Sequence, residues 1–169
     1  MIHWGEGPLP TELVGELGDA LRESGQEFGA STGRPRRCGW FDAVVARYAV
    51  RVNGIQALAL TKLDVLDKLE SVQLCTGYRC GDDVLEEFPS DASVLGRCKP
   101  VYETFPGWEQ PTAGVTRFAE LPDEAQQYVR RLEEVSGVPV AIVSTGSDRA
   151  DTIVREGSLV AQWLRSDDR

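Results

Sequence analysis

One short polar segment carries residue types that can recognise a planar base. Lys62 and Asp64 follow the apolar run Ile55–Thr61, and a carboxylate at a strand end can accept two N–H bonds from one edge of a purine. Guanine presents such a pair, the ring N1–H and the exocyclic amine, whereas adenine does not. Hydrogen bonds to a charged group contribute about 1.5–3 kcal/mol each, which is enough to select one base. A strand-end turn with solvated charges explains the same K-x-D spacing, and for this spacing alone it is the commoner interpretation.

A second segment, residues 30–37, concentrates positive charge. Three arginines, Arg34, Arg36 and Arg37, lie within four positions of a chain whose net charge is −9. Hydroxyls and a glycine precede them, and a helix is predicted to begin near Phe41. Backbone amides, hydroxyl donors, guanidinium forks and a helix dipole are the components of a cradle for an anion or a carboxylate. An exposed basic loop that pairs with the acidic surface explains the composition equally well.

A third segment, Ser144-Thr145-Gly146, follows another apolar run. Its backbone and hydroxyl groups can hydrogen-bond a ligand, and Gly146 permits close approach. An ordinary strand-exit turn is the alternative interpretation.

The cysteines and the single histidine add little chemistry. Cys38, Cys75, Cys80 and Cys98 contain no C-x-x-C pair, so a zinc site would require all four to converge from scattered positions. We expect reduced, structural cysteines. His3 is expected to lie in a frayed terminus without a catalytic role.

Secondary-structure elements must position these segments, and hydrophobic periodicity predicts six helices and strands in all. Buried strands over Ile55–Thr61 and Val140–Thr145 each follow a helix, which predicts an α/β fold with parallel pairing. Ligands bind beyond the carboxyl ends of such strands, where both polar loops lie. The other predicted elements are helices over Thr11–Ser24, Phe41–Asn53 and Pro122–Ser136 (ended by Gly137), and a half-exposed strand over Val72–Arg79 turning at Cys80–Asp83.

Composition narrows the class of protein. The chain has 169 residues, 41% hydrophobic and 27% charged, which fits one globular domain. The acidic balance argues against nucleic-acid or anionic-membrane binding. No apolar run can span a bilayer and no secretory signal is visible, so we expect a cytoplasmic chain. No lysine follows a glycine, so the G-x-x-x-x-G-K phosphate loop is not in this sequence.

In sequence order, these segments resemble the C-terminal portion of adenylosuccinate synthase (IMP–aspartate ligase, also called adenylosuccinate synthetase). The similarity extends over residues about 5–154, and residues 155–169 form a divergent tail, as do Met1–Trp4 at the other end. The matching blocks are Gly5–Leu13, Glu27–Trp40, Ala59–Asp67, Tyr102–Trp108, Gly137–Pro139, Ser144–Gly146 and Asp148–Arg149. Ser147 stands where the family usually has proline.

The resemblance implies a GTP-dependent ligase of purine (AMP) biosynthesis. Such enzymes phosphorylate the 6-oxygen of IMP with GTP, and the amine of L-aspartate then displaces the phosphate with assistance from Mg²⁺. It also implies a family homodimer. The implied fold class is α/β, the C-terminal part of a larger, mostly parallel, P-loop-NTPase-like sheet with flanking helices. We expect that sheet to be incomplete without an N-terminal portion, with 1–169 as a single region.

The resemblance also implies roles for individual residues. Ser31 and Thr32 would donate to aspartate, Arg34 would clamp a carboxylate and reach IMP, and Arg36 would reach GTP. The aspartate loop would be Ala30, Ser31, Thr32, Gly33, Arg34, Pro35 and Arg36. The GTP-binding residues would be Arg36, Lys62, Leu63, Asp64, Ser144, Thr145 and Gly146.

The family's phosphate loop, general-base aspartate, catalytic histidine and most IMP contacts would lie in the portion that this sequence lacks. We therefore assign this chain no catalytic residue and no metal ligand. The isolated chain is expected to be an inactive gene fragment or truncated reading frame. The alternative function is a weak guanine-nucleotide-binding or interaction module.

Overall fold

A computed structural model of the chain describes residues 2–3 and 7–166. The terminal residues on which the family resemblance begins, Gly5 and Glu6, lie outside the described residues, as do Met1 and Trp4. The strands are β1 (Ile2–His3), β2 (Arg37–Cys38), β3 (Phe41–Asp42), β4 (Leu58–Leu60), β5 (Ser71–Cys80), β6 (Asp83–Leu85), β7 (Lys99–Pro106), β8 (Val140–Ser144) and β9 (Thr152–Val154). The α-helices are α1 (Glu16–Ser24), α2 (Ala43–Asn53), α3 (Ala92–Leu95), α4 (Asp123–Ser136) and α5 (Leu159–Ser166), and 3₁₀ helices lie at Leu63–Leu66, Phe118–Glu120 and Arg149–Asp151.

The chain divides into two compact units. The first unit comprises Met1–Tyr48 and Val72–Thr104, and the second comprises Ala49–Ser71 and Phe105–Arg169. In the first unit, β1 pairs with β2 in antiparallel fashion, so the prediction of a frayed terminus at His3 is wrong for its backbone. The strand β5 pairs with β3 in parallel, with β6 in antiparallel fashion, and also with β7.

The strand β5 is more deeply buried than its alternating sequence indicates. Val72, Leu74 and Tyr78 are fully buried, and so is Cys75 on the opposite face. The prediction of a half-exposed strand is wrong because β5 is bonded to three other strands and lies inside the first unit. The predicted turn after β5 is confirmed, since Cys80 pairs with Asp83 across the hairpin.

Two of the four cysteines form a disulfide, which corrects the prediction that all four are reduced. Cys80 is bonded to Cys98, with their Cα atoms 4.6 Å apart. The pairing of β7 with β5 brings the start of β7 beside the end of β5, and so brings Cys98 close to Cys80. The spacing of the cysteines in the sequence does not indicate this proximity. Cys38 and Cys75 are free and buried, as predicted.

The second unit contains a three-stranded sheet in the order β4-β8-β9. Leu60 of β4 lies beside Val143 of β8 in a parallel pair, which confirms the predicted parallel pairing of these two segments. The prediction that both strands are covered on both faces holds for β8, where Val140, Ala141 and Val143 are buried. It is wrong for β4, whose Ala59 is exposed, because among the described residues β4 is an edge strand bonded only to β8.

The best predicted helix is α4. It begins directly after Pro122 and ends at Gly137, which adopts the left-handed conformation with φ 77°. Its apolar face is buried through Tyr128 and Leu132, and the helix contacts β8. No helix in the described part of the chain is both long and apolar enough to cross a membrane.

The first helix, α1, is shorter than predicted because long-range backbone bonds occupy its expected first turns. The Leu13 amide donates to the Cys38 carbonyl at 2.9 Å, and the Trp40 amide donates to the Thr11 carbonyl at 3.1 Å. The backbone around Thr11 therefore bridges to the segment after β2 instead of starting a helix. The second helix, α2, also begins two residues late, because Phe41 and Asp42 pair with β5.

The fold is therefore mixed α/β, with parallel pairs β3–β5 and β4–β8 and antiparallel pairs beside them.

Candidate functional site

The loops that follow β4 and β8 meet in the second unit. The Lys62 amide donates a 2.8 Å hydrogen bond to the Ser144 hydroxyl oxygen. This contact confirms the predicted convergence of the two loops, which follows from parallel strands whose carboxyl ends share one edge. Lys62 adopts left-handed backbone angles, φ 60° and ψ 47°, which are uncommon for a residue other than glycine. Leu63 then packs into the core with 1% of its surface exposed, so its side chain anchors the loop.

Asp64 lies in the first turn of the 3₁₀ helix after β4, and its carboxylate has an unused acceptor. Its Oδ1 atom is buried and has no hydrogen-bond partner within the described residues. Burial raises the pKa of Asp64, the negative charges of Asp67 and Asp151 raise it further, and Lys62 opposes the shift. A buried acceptor without a donor is costly, and an N–H group from a ligand would satisfy it.

The loop after β8 is held mainly by its own backbone. Thr145 is fully buried, and its hydroxyl lies 2.8 Å from the Val115 carbonyl oxygen and 3.2 Å from that of Asp151. The hydroxyl of Thr145 is thus committed to internal bonds, and so is its backbone, since its amide donates to the Asp151 carbonyl at 2.9 Å and its carbonyl accepts from the Gly114 amide at 3.4 Å. Gly146 is partly exposed beside it.

Asp151 is a residue of this loop that the sequence argument missed. Its Oδ2 atom accepts from the Asp148 amide at 3.2 Å, and Asp148 accepts from the Ala150 amide at 2.8 Å, which together form a capping box. A Cβ atom added to Gly146 would lie 2.3 Å from that same Oδ2 atom. The D-x-x-D spacing of 148–151 is the local signal that predicts such a cap.

The arginine segment lies in the first unit and forms an exposed loop. Its stems are joined by an antiparallel bridge between Phe28 and Pro35, and residues 30–35 between them are exposed. The Gly33 amide donates to the Gly29 carbonyl at 2.8 Å, and the Arg34 amide to the Thr32 hydroxyl at 3.3 Å. These few bonds leave the outward face of the loop to solvent.

The three arginines do not form one positive spot, which corrects the interpretation from composition. Arg36 pairs with Glu27 at 2.8 Å, and Arg37 binds both carboxylate oxygens of Glu12 at 2.8 and 2.6 Å. Glu27 is buried, so its charge requires such a partner. Within the described residues, Arg34 makes no side-chain hydrogen bond or ion pair, and the residue is exposed.

The N-terminus of α2, which is predicted from the sequence to contribute its dipole to this cradle, is capped by a side chain of its own chain. The first amides of α2 are already bonded, because Asp42 Oδ1 accepts from Val44 at 3.0 Å and from Val45 at 3.2 Å. The other oxygen, Oδ2, accepts from the Tyr78 hydroxyl at 2.6 Å. Burial raises the pKa of Asp42, while these hydrogen bonds act in the opposite direction. Asp42 thus caps α2 by occupying the amides of Val44 and Val45, and Tyr78 binds its other oxygen.

Comparisons with known proteins identify the family to which this mixed α/β chain belongs. Residues 1–153 match the sequence model of the family described as adenylosuccinate synthetase, so the prediction that Met1–Trp4 lie outside the resemblance is wrong. The chain belongs to the adenylosuccinate synthetase family.

Individual relatives agree. The chain is 57% identical to the adenylosuccinate synthetase of Gloeobacter violaceus over 152 residues, covering 90% of this chain and 34% of that protein. The enzyme of Myxococcus xanthus is 57% identical over 150 residues, with 89% and 34% covered. The structure of fully ligated adenylosuccinate synthetase from Plasmodium falciparum superimposes with a TM-score of 0.87 at 36% identity, covering 92% of this chain and 38% of that one. The chain thus spans about a third of the length of these relatives.

Proposed function

We propose that this chain supplies the guanine-recognition loops and the aspartate-binding loop of a GTP-dependent adenylosuccinate synthetase. The proposed reaction consumes IMP, L-aspartate and GTP and yields adenylosuccinate, GDP and phosphate. The phosphoryl group passes from GTP to the 6-oxygen of IMP, and the aspartate amine then displaces it. A cytoplasmic location and the family homodimer are part of the same proposal.

The observation that carries the guanine assignment is the unused acceptor of Asp64. Its buried Oδ1 atom lacks a donor within the described residues, and it lies in the loop that the Lys62–Ser144 hydrogen bond fixes. Guanine brings two adjacent N–H groups to a carboxylate, whereas adenine brings none to that position. Lys62 is exposed, and its aliphatic stem is proposed to lie along the base while the loop holds its backbone.

The aspartate assignment is supported by the distribution of ion pairs in the first unit. Arg36 and Arg37 are bound to Glu27 and Glu12, which leaves Arg34 to form a bidentate bond with a substrate carboxylate. The hydroxyls of Ser31 and Thr32 lie on the same exposed loop and are proposed donors. Arg34 is further proposed to reach IMP and Arg36 to reach GTP, as the family resemblance implies.

Mg²⁺ is proposed to assist the reaction, as the family resemblance implies. No group of three or more histidine, cysteine, aspartate or glutamate side chains in the described part of the chain is arranged to hold a cation. We propose that the metal ligands lie outside this chain, as the family resemblance implies, and we derive no step through the metal.

The second candidate function is an inactive fragment that binds guanine nucleotides weakly or pairs with another chain. Two features favour it. The chain spans only 34% of a relative such as that of Gloeobacter violaceus, and among the described residues β4 leaves one edge without a partner strand. In this proposal residues about 5–154 correspond to the C-terminal part of the enzyme, and 155–169 are a divergent tail. Two base hydrogen bonds, less the cost of ordering the loops, give an affinity of about millimolar or weaker.

A thermal melt of the purified chain with near-saturating GDP tests the guanine site. At a ligand concentration equal to Kd the stabilisation is only about 0.4 kcal/mol, so several millimolar GDP is required. We expect GDP to raise Tm, IDP (which lacks the exocyclic amine) to raise it less, and ADP to leave it unchanged. Asp64→Asn should abolish the response, and Asp82→Asn, which removes a charge from the exposed β5–β6 turn, should retain it.

A cooperative melt that GDP does not shift would contradict the guanine assignment. Formation of adenylosuccinate from IMP, GTP and aspartate by the isolated chain would instead contradict the inactive-fragment alternative.

A further inference from the structure

Asp151 contacts the loop after β8 through both its main chain and its side chain. Its main-chain carbonyl oxygen accepts from the Thr145 amide at 2.9 Å and lies 3.2 Å from the Thr145 hydroxyl. Its side chain accepts from the Asp148 amide at 3.2 Å. One residue therefore joins both ends of the segment that runs from Thr145 to Asp148, and this segment includes the proposed base-binding positions.

The carboxylate of Asp151 also sets the shape of this segment at Gly146. A Cβ atom at residue 146 would meet Asp151 Oδ2 at 2.3 Å and Cγ at 2.8 Å. The backbone of Gly146 thus approaches the carboxylate more closely than any other residue type allows. Because Oδ2 is simultaneously bonded to the Asp148 amide, it is not free to move aside.

The charge of Asp151 acts on Asp64 across the junction of the two loops. The charged groups that act on the Asp64 carboxylate are Lys62, Asp67 and Asp151, and both aspartates raise its pKa. Asp67 is bonded to Trp108 Nε1 at 2.7 Å and to the Thr112 amide at 2.8 Å, so its charge is spread over internal donors. Asp151 is the acidic neighbour of Asp64 that belongs to the opposite loop.

We propose that Asp151 is a positioning and specificity-determining residue of the guanine site. Its backbone and carboxylate hold residues 144–148 in the shape that meets Lys62, and its negative charge strengthens Asp64 as an acceptor for base N–H groups. This inference rests on the proposed guanine-nucleotide function. A base edge that presents carbonyl oxygens would be repelled by the Asp64 carboxylate and by the nearby negative charge of Asp151, whereas an edge that presents N–H groups is favoured.

The test compares Asp151→Asn, Asp151→Ala and the matched control Asp148→Asn in the full chain. Asp151→Asn keeps the volume and an acceptor for the Asp148 amide but removes the charge, whereas Asp151→Ala removes both. Asp148→Asn removes a charge from the same loop without contacting Gly146. GDP and IDP affinities are measured by titration across a series of pH values, and a cooperative melt of each variant verifies folding.

We expect Asp151→Ala to weaken GDP binding about tenfold and Asp151→Asn about threefold near neutral pH. Binding requires the Asp64 carboxylate, so GDP affinity is lost as the pH falls through its raised pKa. Removing the charge of Asp151 lowers that pKa, and the loss of affinity in Asp151→Asn should move to lower pH. The acid limb is the pH range over which GDP affinity is lost as the pH falls. If Asp151 acted only on the stability of the loop, this range would not move in Asp151→Asn.

The outcomes separate this inference from the function on which it rests. Failure of the unmodified chain to bind GDP overturns the proposed function and with it the role of Asp151. GDP binding that is lost in Asp64→Asn but has the same affinity and acid limb in Asp151→Asn as in the unmodified chain overturns the role of Asp151 alone. An equal shift of the acid limb in Asp148→Asn also overturns it, because the effect would then come from net charge.

Discussion

The Lys62 amide donates a 2.8 Å hydrogen bond to the hydroxyl of Ser144, a residue 82 positions further along the chain. This bond joins the loop after β4 to the loop after β8 at the carboxyl edge of their parallel pair. It also stabilises a left-handed backbone at Lys62, a conformation that typically costs about 1–3 kcal/mol for a non-glycine residue. Ser144 therefore supports the proposed base site through the backbone of Lys62, in addition to its own proposed contact with the nucleotide.

Ser144→Ala should weaken GDP binding and reduce stability modestly. Loss of one partly exposed hydrogen bond costs about 1 kcal/mol of unfolding free energy, and the strained Lys62 backbone is then free to relax. Urea denaturation measures the first effect and GDP titration the second. Ser147→Ala, which changes an exposed residue of the same loop, should alter neither quantity. Unchanged GDP affinity in Ser144→Ala would separate the loop junction from nucleotide binding.

Reduction of the Cys80–Cys98 disulfide should lower the thermal stability of the first unit. The bond closes a loop with a sequence separation of 18, which corresponds to about 3 kcal/mol of chain entropy in the unfolded state. We expect a lower Tm in the presence of a dithiol or phosphine reductant. Burial raises the pKa of Cys75 to about 12, so this free thiol is a poor nucleophile and should not exchange with the disulfide.

The control for this prediction is the double variant Cys80→Ser with Cys98→Ser. Its melt should be independent of reductant and should coincide with that of the reduced unmodified chain. A Tm of the unmodified chain that reductant leaves unchanged, with both thiols shown to be free by mass, would contradict a stabilising role for the bond.

The buried pair of Asp42 and Tyr78 should produce a characteristic pH dependence of stability. Burial raises the pKa of Asp42 in the folded chain above its unfolded value, so the folded state retains this proton over a range where the unfolded state has lost it. The resulting stability is fully present below the ordinary aspartate pKa and is lost as the pH rises through the folded pKa. The stability of the unmodified chain relative to Asp42→Asn should therefore fall as the pH rises from the ordinary aspartate pKa through the raised pKa of the folded chain.

Asparagine is the appropriate replacement because its oxygen can still accept from the amides of Val44 and Val45 while it carries no charge. Asp82→Asn, on the exposed hairpin turn, should show no such slope. A stability difference that rises with pH would mean that the hydrogen bonds to Asp42 outweigh its burial.

Local signals explain why some elements could be predicted closely. The helix α4 is marked by Pro122 before its first turn, by Asp123 and Glu124 within it and by Gly137 at its end, and it begins and ends where these residues indicate. The meeting of the Lys62 and Ser144 loops also follows from local patterns, because two apolar strands in parallel place both loops at one edge. Periodicity and turn chemistry are sufficient in these cases.

Features that depend on distant partners could not be predicted in this way. The first turns of the expected α1 are displaced by bonds from Thr11 and Leu13 to Trp40 and Cys38. The arginine cluster loses its combined charge because Glu27 binds Arg36 within the fold. Asp42 occupies the helix terminus that the sequence offered to a ligand. In each case a contact with a distant residue replaces the structure or the charge that the local sequence indicates. The composition of residues 30–37 therefore predicted more positive charge for an anion cradle than the folded chain presents.

The aspartate role of Arg34 can be tested in a reconstituted enzyme. We expect that this chain, mixed with the remaining N-terminal two-thirds of a relative such as the Myxococcus xanthus enzyme, rebuilds a ligase site. In that mixture Arg34→Lys should lower kcat/KM for aspartate by about ten- to a hundredfold, because an ammonium group cannot replace a bidentate guanidinium fork. The KM for GTP should change less.

Arg131→Lys, on the surface of α4, is the matched control and should behave as the unmodified chain. Saturation of Arg34→Lys by aspartate at unmodified concentrations would refute the clamp, and an inactive mixture of two soluble, folded pieces would refute reconstitution itself.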